Sequence, residues 1–121
     1  MSMFCYQCEQ AANGEACVTM GVCAKNAEVA ALQDNLIQGL KAVSALAHSA
    51  RQKGKSDPGI DAFVPYAMFT TLTNTNFDRE AFGELISKTE AMRDRAQKLN
   101  GGALTRILKS GGDAPQCRAN R

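Results

Sequence analysis

The stretch Asn26-Ala27-Glu28-Val29, continuing through Leu32, Leu36, Leu40, Val43 and Leu46 to Gln52-Lys53, decides the fold. Its apolar residues recur at every third or fourth position, the period of one helix face. Asn26 suits the start, because an asparagine oxygen can accept a backbone N–H of the first turn. Glu28 follows where the positive end of the helix dipole favours an acid. The spacing predicts a helix to about Lys53, roughly 40 Å long at ~1.5 Å per residue. Gly54 ends it, since glycine accepts left-handed geometry, and Ser56-Asp57-Pro58-Gly59 reads as the turn that follows.

Toward the C-terminus, a second, shorter helix is expected to start between Asp61 and Pro65 and to cover Tyr66 to about Leu72. Its apolar members would be Phe63, Val64, Met68, Phe69 and Leu72. Thr73-Asn74-Thr75-Asn76 reads as a connection. Asn76 or Asp78 can then cap a third helix bearing Phe82, Leu85, Ile86, Met92, Ala96 and Leu99, which Asn100-Gly101-Gly102 ends. Residues 1–100 therefore read as one all-α domain, an antiparallel three-helix bundle with an N-terminal Cys-rich cluster-binding loop over residues 3–25. Residues 101–121 read as a Gly-rich mobile tail. Phe63, Phe69, Phe82 and the leucines are expected to pack the core.

The bulk composition narrows the function. The chain has 121 residues and a formal net charge of +2. Its acidic and basic residues are interspersed, which gives no electrostatic case for nucleic acid. No apolar run approaches the roughly 20 residues that span a bilayer, so no membrane role is expected. Met1-Ser2-Met3-Phe4 lacks the basic and apolar regions of a signal peptide, and the expected location is the cytoplasm. In that reducing compartment, close cysteines are expected to be ligands rather than disulfides.

Toward the N-terminus, four of the five cysteines, Cys5, Cys8, Cys17 and Cys23, follow the pattern Cys-x2-Cys-x8-Cys-x5-Cys. Four thiolates on one loop can wrap a tetrahedral metal ion. They can equally wrap a cubane iron–sulfur cluster, in which each iron needs one terminal ligand. Gly14 and Gly21 suit a backbone that must turn around such a group. The single Cys-x2-Cys pair departs from zinc ribbons, which use two. The wide gaps depart from bacterial-type ferredoxins, whose tighter run ends in proline. The spacing favours a cluster and leaves an unusual four-cysteine zinc site open. Cys117 is left over and reads as a free thiol, with a substitute ligand or an intermolecular contact as the alternatives, and His48, the one histidine, has no acid or second histidine placed with it. No nucleophile elbow or paired-acid pattern supports hydrolysis.

Several motifs carry a resemblance. Met3-Phe4-Cys5-Tyr6-Gln7-Cys8-Glu9-Gln10, Gly21-Val22-Cys23-Ala24-Lys25, Leu32-Gln33-Asp34 and Leu72-Thr73-Asn74-Thr75-Asn76-Phe77-Asp78 closely resemble, in order, the N-terminal part of the hybrid cluster proteins, or hydroxylamine reductases. The likeness runs from Met3 to about Leu99. It implies that Cys5, Cys8, Cys17 and Cys23 bind a [4Fe-4S] cluster beside a helical bundle, since their spacing is that of the [4Fe-4S] class rather than the [2Fe-2S] class. Members of that family are several times longer, and the ligands of their hybrid cluster lie in later domains. The expectation is therefore one-electron transfer by a small carrier or an electron-input subunit, and not an enzyme on its own. Its partner would be a redox protein, either a reductase or a catalytic subunit. A four-cysteine zinc module for interaction and a cluster-based redox sensor stand as alternatives.

Overall fold

The computed structural model describes residues 2–72 and 77–101, so the expected connection at Thr73-Asn74-Thr75-Asn76, the C-terminal tail and Cys117 lie outside the described residues. Three helices form: α1 (Ala27–Gln52), α2 (Pro58–Phe69) and α3 (Arg79–Leu99). Asn26 caps α1 as its sequence suggests, its Oδ1 accepting the Val29 N–H at 2.9 Å. Asp78 caps α3 by accepting from the N–H groups of Glu80 and Ala81. Lys53 closes α1, and Gly54 follows with φ +78°, a left-handed conformation that glycine takes without penalty.

Contacts at the helix ends give the directions. Arg79 donates to Glu28 at 2.7 Å, joining the starts of α3 and α1. Lys53 donates to the Asn100 carbonyl at 2.9 Å, joining their ends. Arg51 donates to Asp61 at 2.6 Å, joining the end of α1 to the start of α2. Consecutive helices are thus antiparallel while α1 and α3 run side by side in one direction, and α1 packs chiefly on α3.

Near the start of α1 the core holds Leu36, Leu40, Phe82 and Leu85. Farther along it holds Val43, Leu46, Ile60 and Ala96. Burying each large apolar side chain contributes about 1.5–3 kcal/mol, which makes this the main source of stability. Gly39 sets the approach of α1 to α3: a Cβ there would meet the Thr89 Cγ2 at 2.7 Å. Among the described residues, no helix is long and apolar enough to cross a membrane.

The second helix differs from its sequence reading. It starts at Pro58, so the supposed turn Ser56-Asp57-Pro58-Gly59 is in fact its N-terminus. Asp57 accepts the Gly59 N–H at 2.8 Å and also pairs with Arg95, while Pro58 occupies a first-turn position that needs no N–H. The earlier start brings Ile60 into the helix. The face turned inward is Ile60, Phe63, Val64 and Ala67, a run of helical spacing that begins before the expected helix. Phe69, expected in the core, is 57% exposed, and Met68 and Leu72 are exposed with it.

Candidate metal centre

The loop before α1 is built from two turns joined by a short pairing of extended chain. Cys5 and Cys17 exchange both backbone hydrogen bonds, at 3.0 and 2.9 Å, and the Met3 N–H donates to the Val18 carbonyl at 2.9 Å. That register fixes the first and third cysteines opposite one another. Met3 and Cys17 are buried against Ala30, so the loop sits on the first turns of α1.

Between Cys8 and Cys17 a short 3-10 turn, Ala12–Gly14, reverses the chain, with Asn13 at φ 57° and Gly14 at φ +67°. Between Cys17 and Cys23 the second turn closes through Gly21 N–H to Lys25 carbonyl at 2.7 Å. Ala24 there adopts φ 69°, a left-handed conformation that costs an L-residue about 1–2 kcal/mol. A Cβ on Gly21 would stand 3.0 Å from both the Cys23 Sγ and the Lys25 Cβ, so only glycine lets the backbone pass this closely.

These two turns bring Cys5, Cys8, Cys17 and Cys23 to the wall of one cleft, which Gly21 and Lys25 also line. All four are free thiols. They share the cleft without meeting at a point: among the described residues, no three His, Cys, Asp or Glu side chains stand together as ligands of one ion.

The electrostatics favour negative sulfur. The Ala12 N–H donates to the Cys17 Sγ at 3.4 Å. The backbone of Ala12 and then of Val22 holds the Cys17 thiol below its ordinary pKa, against desolvation, with a smaller contribution from the charge of Lys25. Lys25 is itself only 2% exposed, and its Nζ lies 3.6 Å from the Cys5 Sγ. Thiolate donors, backbone N–H groups and a buried cation are what a thiolate-bound metal group requires, so the residues fit one.

The spacing of the cysteines is visible in the sequence, and two of their neighbours are not marked by it. Nothing in the pattern marks Lys25 as buried. Gln7 accepts from the Lys25 Nζ at 3.2 Å and donates to the Thr71 hydroxyl at 3.1 Å, tying the loop to the end of α2. Tyr6, Met20 and Val22, which lie between the cysteines in sequence, are each more than half exposed.

A family model described as the Prismane/CO dehydrogenase family matches residues 3–111. The hydroxylamine reductase of Moorella thermoacetica is 50% identical over 97 residues, 80% of this chain and 23% of that protein. That of Rhodospirillum rubrum is 53% identical over 93 residues, 77% of this chain and 17% of that protein. That of Geobacter sulfurreducens is 44% identical over 119 residues, 98% of this chain and 21% of that protein. The chain thus spans about a fifth of the length of these curated relatives. The similarity also extends beyond Leu99, where the motifs read from the sequence stop. The expectation that the chain is not an enzyme is overturned, because the proteins it matches bear an enzyme's name. The cysteine pattern points at most to candidate ligands, and candidate ligands carry no information on whether catalysis accompanies them.

Proposed function

The chain belongs to the Prismane/CO dehydrogenase family, and on that premise we propose that Cys5, Cys8, Cys17 and Cys23 hold a [4Fe-4S] cluster through which single electrons enter a hydroxylamine-reducing enzyme. The observation that supports this most is the convergence of four thiols, drawn from both turns of the loop, on one cleft beside a buried ammonium. A cubane takes one thiolate on each iron. When bound, such a cluster supplies electrons one at a time, and two of them with two protons convert hydroxylamine to ammonia and water.

The residues of the chain hold and orient that group. The paired backbone of Cys5 and Cys17 sets two ligands in register, Gly21 allows the close passage that presents Cys23, and the Ala12 N–H favours the Cys17 thiolate. The loop's exposed rim, with Tyr6 and Val22 at its surface, keeps the centre within short reach of a redox partner protein that acts as a one-electron reductase. A reducing compartment such as the cytoplasm keeps the thiols available as ligands.

The test is an anaerobic dithionite titration of the 121-residue chain, followed by visible absorption. The expected result is a broad band bleached by one electron per chain and restored by a one-electron oxidant. A metal-loaded but colourless protein that takes up no electrons would contradict the proposal.

A further inference from the structure

We propose that Lys25 is the fixed counter-charge of the cysteine centre, a buried ammonium that holds Cys5 in place and raises the electron affinity of the cluster, an inference that rests on the cluster reading above. Lysine is almost never fully buried unless paired, because removing a charge from water is costly. Lys25 is nevertheless 2% exposed. Among the described residues, ion pairs join Arg51 to Asp61, Arg79 to Glu28 and Arg95 to Asp57, and none of them involves Lys25. Desolvation raises the Asp34 carboxyl above its ordinary value against a smaller pull from the charge of Lys25, and the two form no ion pair. The group that the ammonium does meet is sulfur, the Cys5 Sγ at 3.6 Å.

The ammonium is also held from the other side. Its Nζ donates to the Gln7 Oε1 at 3.2 Å, the Gln7 Nε2 donates to the Thr71 Oγ1 at 3.1 Å, and that hydroxyl donates to the Met68 carbonyl at 2.8 Å. Thr71 is fully buried, so the relay is anchored in the end of α2 rather than in the loop. The Lys25 carbonyl is fixed by the Gly21 N–H at 2.7 Å. A lysine serving only to fill space would present its stem and release its charged end to water. This one is tethered with the charge inward, against a ligand sulfur.

The redox consequence follows from charge alone. A one-electron donor, dithionite in the experiment below, adds one negative charge to the thiolate-bound cluster, and no bond is made or broken in that transfer. A positive charge beside a ligand sulfur lowers the energy of the more negative state by the larger amount, so Lys25 favours reduction.

The experiment compares the parent chain with K25M, K25Q and K25R, each purified without oxygen. Midpoint potential, iron and acid-labile sulfide are measured at one pH. The proposal expects K25M and K25Q to resist reduction at least tenfold more than the parent, a shift of about 59 mV to more negative potential for one electron. K25R, which keeps the charge, should stay close to the parent. Equal potentials in all four proteins, or a shift in K25R as large as that in K25M, would overturn the proposal while leaving the cluster reading intact. If the neutral variants lose their iron and sulfide, retention by K25R supports a role for charge, and loss in K25R as well counts against it. A parent chain without sulfide would remove the cluster and this inference together.

Discussion

The bundle closes on Leu36, Leu40, Leu46 and Phe82, none more than 2% exposed, whereas the loop over residues 3–25 buries among its apolar side chains only Met3, Ala11 and Cys17. The loop is shaped instead by backbone pairing, two tight turns and a buried lysine. Apolar burial needs no ligand, so the helices have their stability from the chain alone. Four thiols beside a buried cation are a different case, since they gain their stabilising partner only when a metal group binds them. On the proposed function, the molecule joins a scaffold stabilised by its own apolar core to a loop whose order would depend on the bound metal group.

The largest effect is expected where the scaffold is cut. Phe82→Ala should lower the stability of the whole described fold by about 3–5 kcal/mol, read as a shift in the urea midpoint, because it empties the centre of the α1 and α3 packing. Phe69→Ala, by contrast, should change it by less than about 0.5 kcal/mol, as an exposed position does. Similar losses for the two would mean that α2 is phased as the sequence first suggested.

Cys17→Ser separates the two regions. It should strip or convert the bound metal group while far-UV circular dichroism retains the helical signal. Hydrogen exchange should quicken at the amides of Met3 and Cys5, which bond across the loop, and remain slow at those of Leu40 and Leu85. Collapse of the helices together with the loop would show that the scaffold is not independent.

The smallest effect concerns strain within the loop. Ala24→Gly should stabilise the loaded chain by about 1 kcal/mol, because glycine takes the left-handed conformation without the Cβ penalty. A destabilised variant would indicate that Ala24 contributes packing that outweighs its backbone cost.

The two regions were legible in the sequence to different degrees, for physical reasons. The ends of α1 and α3 could be read because capping is local: Asn26 and Asp78 satisfy N–H groups within three residues of themselves. The start of α2 was misread because Asp57-Pro58-Gly59 serves equally as a turn and as a helix start. The choice between them depends on Arg95, far along the chain and bonded to Asp57. In the loop, residue type and spacing single out Cys5, Cys8, Cys17 and Cys23, and the structure brings all four to one cleft. The pairing of Cys5 with Cys17 is too short to leave an alternating pattern. The ammonium of Lys25 is tethered through Gln7 to Thr71, and the contact between those two spans 64 positions of sequence. Local chemistry was therefore readable, and the long-range contacts that tie the loop to the bundle were not.

The most direct test of the account is the count of iron, zinc and acid-labile sulfide in the chain purified without oxygen. The account predicts about four irons and about four sulfides per chain, as a cubane on four cysteines requires. One zinc per chain and no sulfide would contradict it and make the cysteine loop a structural metal site.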